Sequence, residues 1–182
     1  MFPLPVDSET QLELMRPEMI GELEAVIERN LDHLRPWMPW AGESRSPADL
    51  EGFVHLSLGH HAEGKGFFAA IRYRGALAGT VGLRVDPRDR VGEIGYWLDR
   101  GVEGKGLATR CVVAVLDECF GPLGLHRVEI RCAPGNVRSR AIPERLGFVL
   151  EGTLRGAERF GDDDYRDLVV YAKLAADPRQ AP

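Results

Sequence analysis

Residues 100–109 read RGVEGKGLAT and run straight into residues 107–120, LATRCVVAVLDECF. The glycines at 101, 104 and 106 let the backbone turn tightly and approach a ligand closely. Residues 107–120 are apolar around much of a helical wheel, which marks a heavily buried helix, and Gly121-Pro122 stops it. The first N–H groups of such a helix have no intrahelical partner, and its dipole adds partial positive charge there. Loop and helix start together suit a phosphate or pyrophosphate. A bare strand-to-helix turn would use the same residues, and glycine content alone leaves both readings open.

The segments on either side alternate between the two periods of regular structure. Before the loop, residues 67–73 and 76–85 read as strands joined at Arg74-Gly75, a tight hairpin turn. Residues 93–98, EIGYWL, form a further strand interrupted at Gly95, where a bulge is expected. Residues 10–15 suit a strand and residues 17–30 a helix, with Met19, Ile20, Leu23, Val26 and Ile27 at helical spacing. Residues 34–40, LRPWMPW, read as a proline-broken aromatic loop, and Ser46-Pro47 caps and opens another helix. After the buried helix come a strand at 126–132, a shorter helix at 136–146, and strands at 148–157 and 165–174 around a turn at 161–164. Pro143 removes an N–H inside the shorter helix, so a distortion is expected there. The result is a mixed α/β (α+β) layer structure. It is expected as one domain over residues 10–174, with residues 1–9 and 175–182 frayed.

Composition narrows the class. The 182 residues are 44% hydrophobic and 28% charged, ordinary for a folded protein able to bury a real core. The longest uninterrupted apolar run, residues 111–116, is far too short for a membrane span, and the start of the chain has no secretory leader pattern. Cys111, Cys119 and Cys132 are odd in number and lack metal-type spacing, so neither a disulfide framework nor a zinc site is expected. Adjacent His60 and His61 cannot share a helical face, which argues against a metal there too. A cytoplasmic setting fits. A net charge of −5 argues against nucleic acid as a partner.

Two familiar nucleotide loops fail on spacing. A Walker A loop needs four residues between its first glycine and Gly-Lys-Ser/Thr, and the Rossmann fingerprint wants GxGxxG early in the chain. Glu103-Gly104-Lys105-Gly106-Leu107-Ala108 instead resembles the Q/R-x-x-G-x-G/A acyl-CoA loop of the GNAT N-acetyltransferase superfamily. The likeness continues in order through EIGYWL, LHRVEIRC, Asn136-Val137-Arg138-Ser139 and Glu144-Arg145-Leu146-Gly147-Phe148. LRPWMPW and the closing GDDDYRDLVVYAKL look like the RimJ/RimL branch, which acetylates ribosomal-protein N-termini. The resemblance implies the GNAT fold: a mixed, mostly antiparallel sheet of about seven strands, splayed at the cofactor site and flanked by four to five helices. Glu103 departs from the usual Gln or Arg; a carboxylate beside a pyrophosphate is unfavourable unless it points to solvent, so the contacts are assigned to backbone N–H groups.

The implied reaction is attack of a neutral amine on the thioester of acetyl-CoA in a ternary complex, with no metal. By position, Tyr96, Trp97 and Leu98 would hold the pantetheine arm, and the Leu98 N–H would be the oxyanion donor. Gly104, Lys105, Gly106, Leu107, Ala108 and Thr109 would cradle the pyrophosphate. The tyrosine acid of many family members is absent, because Pro143 stands at its position. Ser139 matches the serine proposed as acid in the RimL type, although it would also suit a backbone bond at a helix start. Asn136 either caps that helix or bonds the pantetheine. For the base, Asp86 fits by family position and Glu93 by closeness to the splayed strand; ordered water is the third choice, and solvated charges are the bland alternative for both. Trp37 and Trp40 either line the acceptor pocket or anchor the loop in the core. The acceptor is a protein N-terminus or a small amine, and a non-catalytic acyl-CoA-binding module is the rival class. Members of the branch are often dimers, so a homodimer is a further expectation.

Overall fold

The computed structural model describes residues 2–42 and 46–178. Eight strands form one sheet in the order β1-β2-β3-β4-β5-β6-β8-β7. The strands are β1 (Leu4–Asp7), β2 (Thr10–Leu14), β3 (Gly66–Tyr73), β4 (Ala76–Asp86), β5 (Val91–Leu98), β6 (Arg127–Cys132), β7 (Val149–Arg159) and β8 (Tyr165–Leu174). Every neighbouring pair is antiparallel except β5 and β6, which run parallel. The helices are α1 (Ile20–Glu28), α2 (Leu31–Leu34), α3 (Pro47–Ala62), α4 (Leu107–Phe120) and α5 (Val137–Arg145).

Alternation along β5 shows how the sheet divides its core. Ile94 and Leu98 join a cluster with Val112, Val115 and Cys119 of α4 and Ile142 of α5. Trp97 points the other way, into a cluster with Leu23 and Val26 of α1 and Val54 of α3. Helices α4 and α5 therefore cover one face, α1 and α3 the other. Ser46 caps α3 through a reciprocal box with Asp49, as its position before Pro47 implies.

Three expectations are corrected. Residues 1–9 do not all fray: Leu4–Asp7 pair with β2 as an edge strand, and Asp7 is tied to Arg110 of α4 at 2.7 Å, a long-range contact with no local sequence signature. Gly95 carries no bulge, since β4 and β5 keep unbroken register from Asp86↔Val91 to Gly79↔Leu98. The aromatic loop is partly helical: its first residue, Leu34, ends α2, and Pro39 starts a 3₁₀ turn at Pro39–Ala41. Pro143 lies inside α5, which runs on to Arg145.

Candidate active site

Strand β5 leaves its parallel neighbour early. It pairs with β6 only at Val91↔Arg127, Gly92↔Val128 and Glu93↔Glu129, although both strands continue. The parity of the β4–β5 ladder shows what this exposes. The Asp99 N–H donates to the Ala78 carbonyl at 2.8 Å, so odd-numbered residues of β5 bond to β4. Even-numbered residues then direct their backbone groups towards β6. Tyr96 and Leu98 lie beyond the last β6 pair, so their N–H and C=O groups face an open wedge.

The glycine loop closes one end of this wedge. Gly104 and Gly106 have φ of 76° and 71°, left-handed values that glycine adopts without penalty. Gly106 is the N-cap of α4 and offers no side-chain cap, leaving the first-turn N–H groups of Leu107, Ala108 and Thr109 available. The surrounding cleft is lined by Arg100, Arg138 and Arg145 as well as by the loop. Lys105 turns outward over the Tyr73 ring, so its contribution to the cleft is backbone alone. Thr109 is buried and accepts a hydrogen bond from Arg145 at 3.0 Å. Glu103 does not point to solvent as expected. Its carboxylate bridges His33 at 2.8 Å and Arg138 at 2.5 Å, which offsets its charge beside the glycine loop.

Ser139 stands across the wedge from β5. Its N–H donates to Asn136 Oδ1 at 3.2 Å, so Asn136 is the N-cap of α5. Its hydroxyl donates to the Tyr96 hydroxyl at 3.4 Å, and the Tyr96 hydroxyl donates to the Ser139 carbonyl at 3.1 Å. Burial pushes the Tyr96 phenol well above its usual range, so it stays neutral. Burial likewise raises the thiol of Cys132 at the end of β6, with Ser139 partly offsetting it.

On the α1/α3 side the wedge opens into a cavity of about 460 Å³. Trp37, Trp40, Phe53 and Phe68 line it, and the Trp40 and Trp97 rings lie 6.1 Å apart. Glu93 lines the same cavity but is engaged by Arg84 at 2.7 Å and Arg131 at 3.5 Å. Glu158 of β7 also lines it. Burial first, and then the charge of Glu93, raise the Glu158 carboxyl above its ordinary range, partly offset by Arg166. Sequence reasoning missed Glu158, because only the folding of the β7–β8 hairpin against β6 carries it to the wedge. Asp86 is not brought to this cavity. It closes the β4–β5 hairpin by accepting the Arg88 and Asp89 N–H groups at 3.0 and 3.3 Å. Trp37, Trp40, Glu93, Tyr96, Trp97, Asn136 and Ser139 are brought together. Among the described residues, no His, Cys, Asp or Glu group is arranged to hold a metal ion, and no helix is long and apolar enough to cross a membrane.

Comparison with known proteins follows the same geometry. Residues 12–149 match the family described as acetyltransferase (GNAT) domain. The chain is 34% identical over 177 residues to a Bacillus subtilis protein named "Putative ribosomal N-acetyltransferase YdaF", covering 96% of each. It is 28% identical to the ribosomal-protein-serine acetyltransferase of Escherichia coli, covering 94% of this chain and 96% of that one. Among solved structures, RimL ribosomal L7/L12 alpha-N-protein acetyltransferase in complex with coenzyme A superposes with a TM-score of 0.89 at 25% identity, over 96% of this chain and 99% of the other. The microcin C7 self-immunity acetyltransferase MccE, in complex with acetyl-CoA and AMP, gives 0.87 at 28% identity, with the same coverage.

Proposed function

This chain belongs to the GNAT acetyltransferase family and is an acetyl-CoA-dependent N-acetyltransferase; from that premise we propose that its acceptor is the α-amine of a protein N-terminus, as the names of its ribosomal-protein-modifying relatives suggest. The observation that carries the reading is the continuous wedge. It runs from an uncapped helix start with arginines, past the open backbone of Tyr96 and Leu98, to an apolar cavity edged by carboxylates.

The division of labour follows from that arrangement. The backbone of Gly104, Gly106, Leu107, Ala108 and Thr109 takes the pyrophosphate, with Arg100, Arg138 and Arg145 supplying charge. The open β5 backbone takes the amide-bearing pantetheine arm as another strand would. The Leu98 N–H meets the charge that grows on the thioester oxygen. Glu158, with its raised pKa, takes the ammonium proton directly or through water, and Glu93 tunes it. Ser139 hydrogen-bonds the departing thiolate or relays a solvent proton to it, because a serine hydroxyl alone is a far weaker acid than the thiol that forms. Trp37 and Trp40 enclose the first residues of the acceptor. We assign the whole activity to a single domain over residues 10–174 with β1 added at its edge, working in the cytoplasm where ribosomal proteins are made, and acting as a homodimer.

The test is thiol release and mass spectrometry with peptides bearing N-terminal Ser or Ala, beside polyamines and amino-acid amides. Acetylation confined to the peptide α-amine is expected. Turnover of the small amines alone overturns the acceptor, and tight coenzyme A binding with no transfer to any amine favours a binding module instead. Sedimentation equilibrium reads the dimer separately.

A further inference from the structure

We propose that Pro143 and the Tyr96 hydroxyl are positioning residues that hold Ser139 in place across the wedge, an inference that rests on the reading of Ser139 as the group that serves the departing thiolate. In an α-helix the N–H of each residue bonds to the carbonyl four residues earlier. Within α5 the donor for the Ser139 carbonyl would be residue 143, and proline has no N–H. That carbonyl is part-buried and needs another donor. The Tyr96 hydroxyl supplies it from β5, across the wedge, at 3.1 Å.

The consequence reaches the Ser139 side chain. With its proton committed to the Ser139 carbonyl, the Tyr96 oxygen turns its lone pairs to the Ser139 hydroxyl, which donates to it at 3.4 Å. Asn136 holds the Ser139 N–H from the other side at 3.2 Å. Serine 139 is thus fixed at its N–H, its carbonyl and its hydroxyl, and two of those contacts exist because residue 143 cannot donate. Pro143 is buried, so it acts only through the helix backbone. An alanine there would return an N–H to the carbonyl and displace the phenol. The Ser139 hydroxyl would then lose its contact with β5.

The experiment compares Pro143→Ala, Tyr96→Phe, Ser139→Ala and the Pro143→Ala/Tyr96→Phe double variant for kcat and for KM of acetyl-CoA. The tyrosine ring carbons bonded to oxygen are followed by NMR, with Tyr96→Phe assigning the signal. We expect Pro143→Ala and Tyr96→Phe each to lower kcat about tenfold or more, as a misplaced group does, with little change in KM. The double variant should be no slower than Tyr96→Phe alone, because both remove one contact. The Tyr96 carbon should shift in Pro143→Ala. An unmoved Tyr96 carbon, additive losses in the double variant, or wild-type kcat in Pro143→Ala each overturn the anchor. Wild-type kcat in Ser139→Ala overturns the reading of Ser139 itself, whatever the NMR signal does.

Discussion

Replacing Gly106 by alanine separates the two duties of the loop, folding and anion binding. Gly106 sits at φ 71°, and an added Cβ would meet Arg110 Nη1 at 3.3 Å, the end of a flexible side chain that can move aside. The main cost is therefore the left-handed backbone, about 1–2 kcal/mol for a residue with a Cβ. In a chain of this size that lowers Tm by about 2–8 °C. Gly64 has φ 70° and nothing within 4 Å of an added Cβ, yet lies outside the cleft, so Gly64→Ala should lose a similar amount. The two variants part when acetyl-CoA is added. At a hundred times Kd the wild type gains about 2.7 kcal/mol, or roughly 5–11 °C. If the new methyl weakens binding tenfold, about 1.4 kcal/mol remains at the same concentration, and the shift falls by half. Differential scanning fluorimetry over a ligand titration reads both numbers. A full wild-type ligand shift in Gly106→Ala would show that the loop is not the anion cradle.

Three further predictions concern charge. Glu93→Gln removes the anion that helps raise the Glu158 carboxyl, so the acid limb of kcat/KM should move to lower pH while turnover survives; loss of turnover at every pH would make Glu93 the base. Asp86→Asn keeps an oxygen for the turn and should leave kcat/KM unchanged, whereas a drop in kcat would return Asp86 to the catalytic set. Glu129 is buried between Arg131 at 2.7 Å and Arg127 at 2.8 Å; burial opposes its ionisation, but the two guanidiniums hold its pKa below the ordinary value. A depressed carboxyl pKa stabilises above the unfolded value and loses that effect as pH falls through the folded value. Urea titrations should therefore find Glu129→Gln destabilised at neutral pH and converging on wild type in acid, and equal destabilisation at both would refute the linkage.

Local chemistry explains which parts were readable in advance. Residues 107–120 carry both a helical apolar stripe and a glycine stop, and α4 occupies that same span. The strands on either side of Arg74-Gly75 announce themselves by β-branched and aromatic residues flanking a turn, and β3 and β4 follow them to within a residue at either end. Strand β1 escaped because four residues containing a proline have no periodicity of their own; they become a strand only when β2 and Arg110 are in place. The break at Gly95 predicts a bulge, yet the irregularity lies on the other edge of the strand, where pairing with β6 ends. Within the site, the left-handed turns at Gly104 and Gly106 were legible because they belong to backbone conformation. The place of Glu158 was not, since a glutamate in a hairpin looks like any surface charge until the register of β7 on β8 carries it to the cavity.

The brevity of the β5–β6 pairing also bears on how long the protein survives in a cell. Among the described residues, three register pairs and the His126 and Arg127 N–H bonds to the Arg90 carbonyl are the main-chain link between the half-sheet β1–β5 and the half-sheet β6–β8. A ligand lying along Tyr96 and Leu98 adds bonds where the strands supply none, so the unliganded molecules are those whose seam opens most readily. Proteases act on the opened fraction, and ligand binding lowers that fraction by mass action. Abundance of the enzyme would then follow the supply of acetyl-CoA without any dedicated sensor, and limited proteolysis with and without acetyl-CoA should show nicking near the seam only when the cosubstrate is withheld.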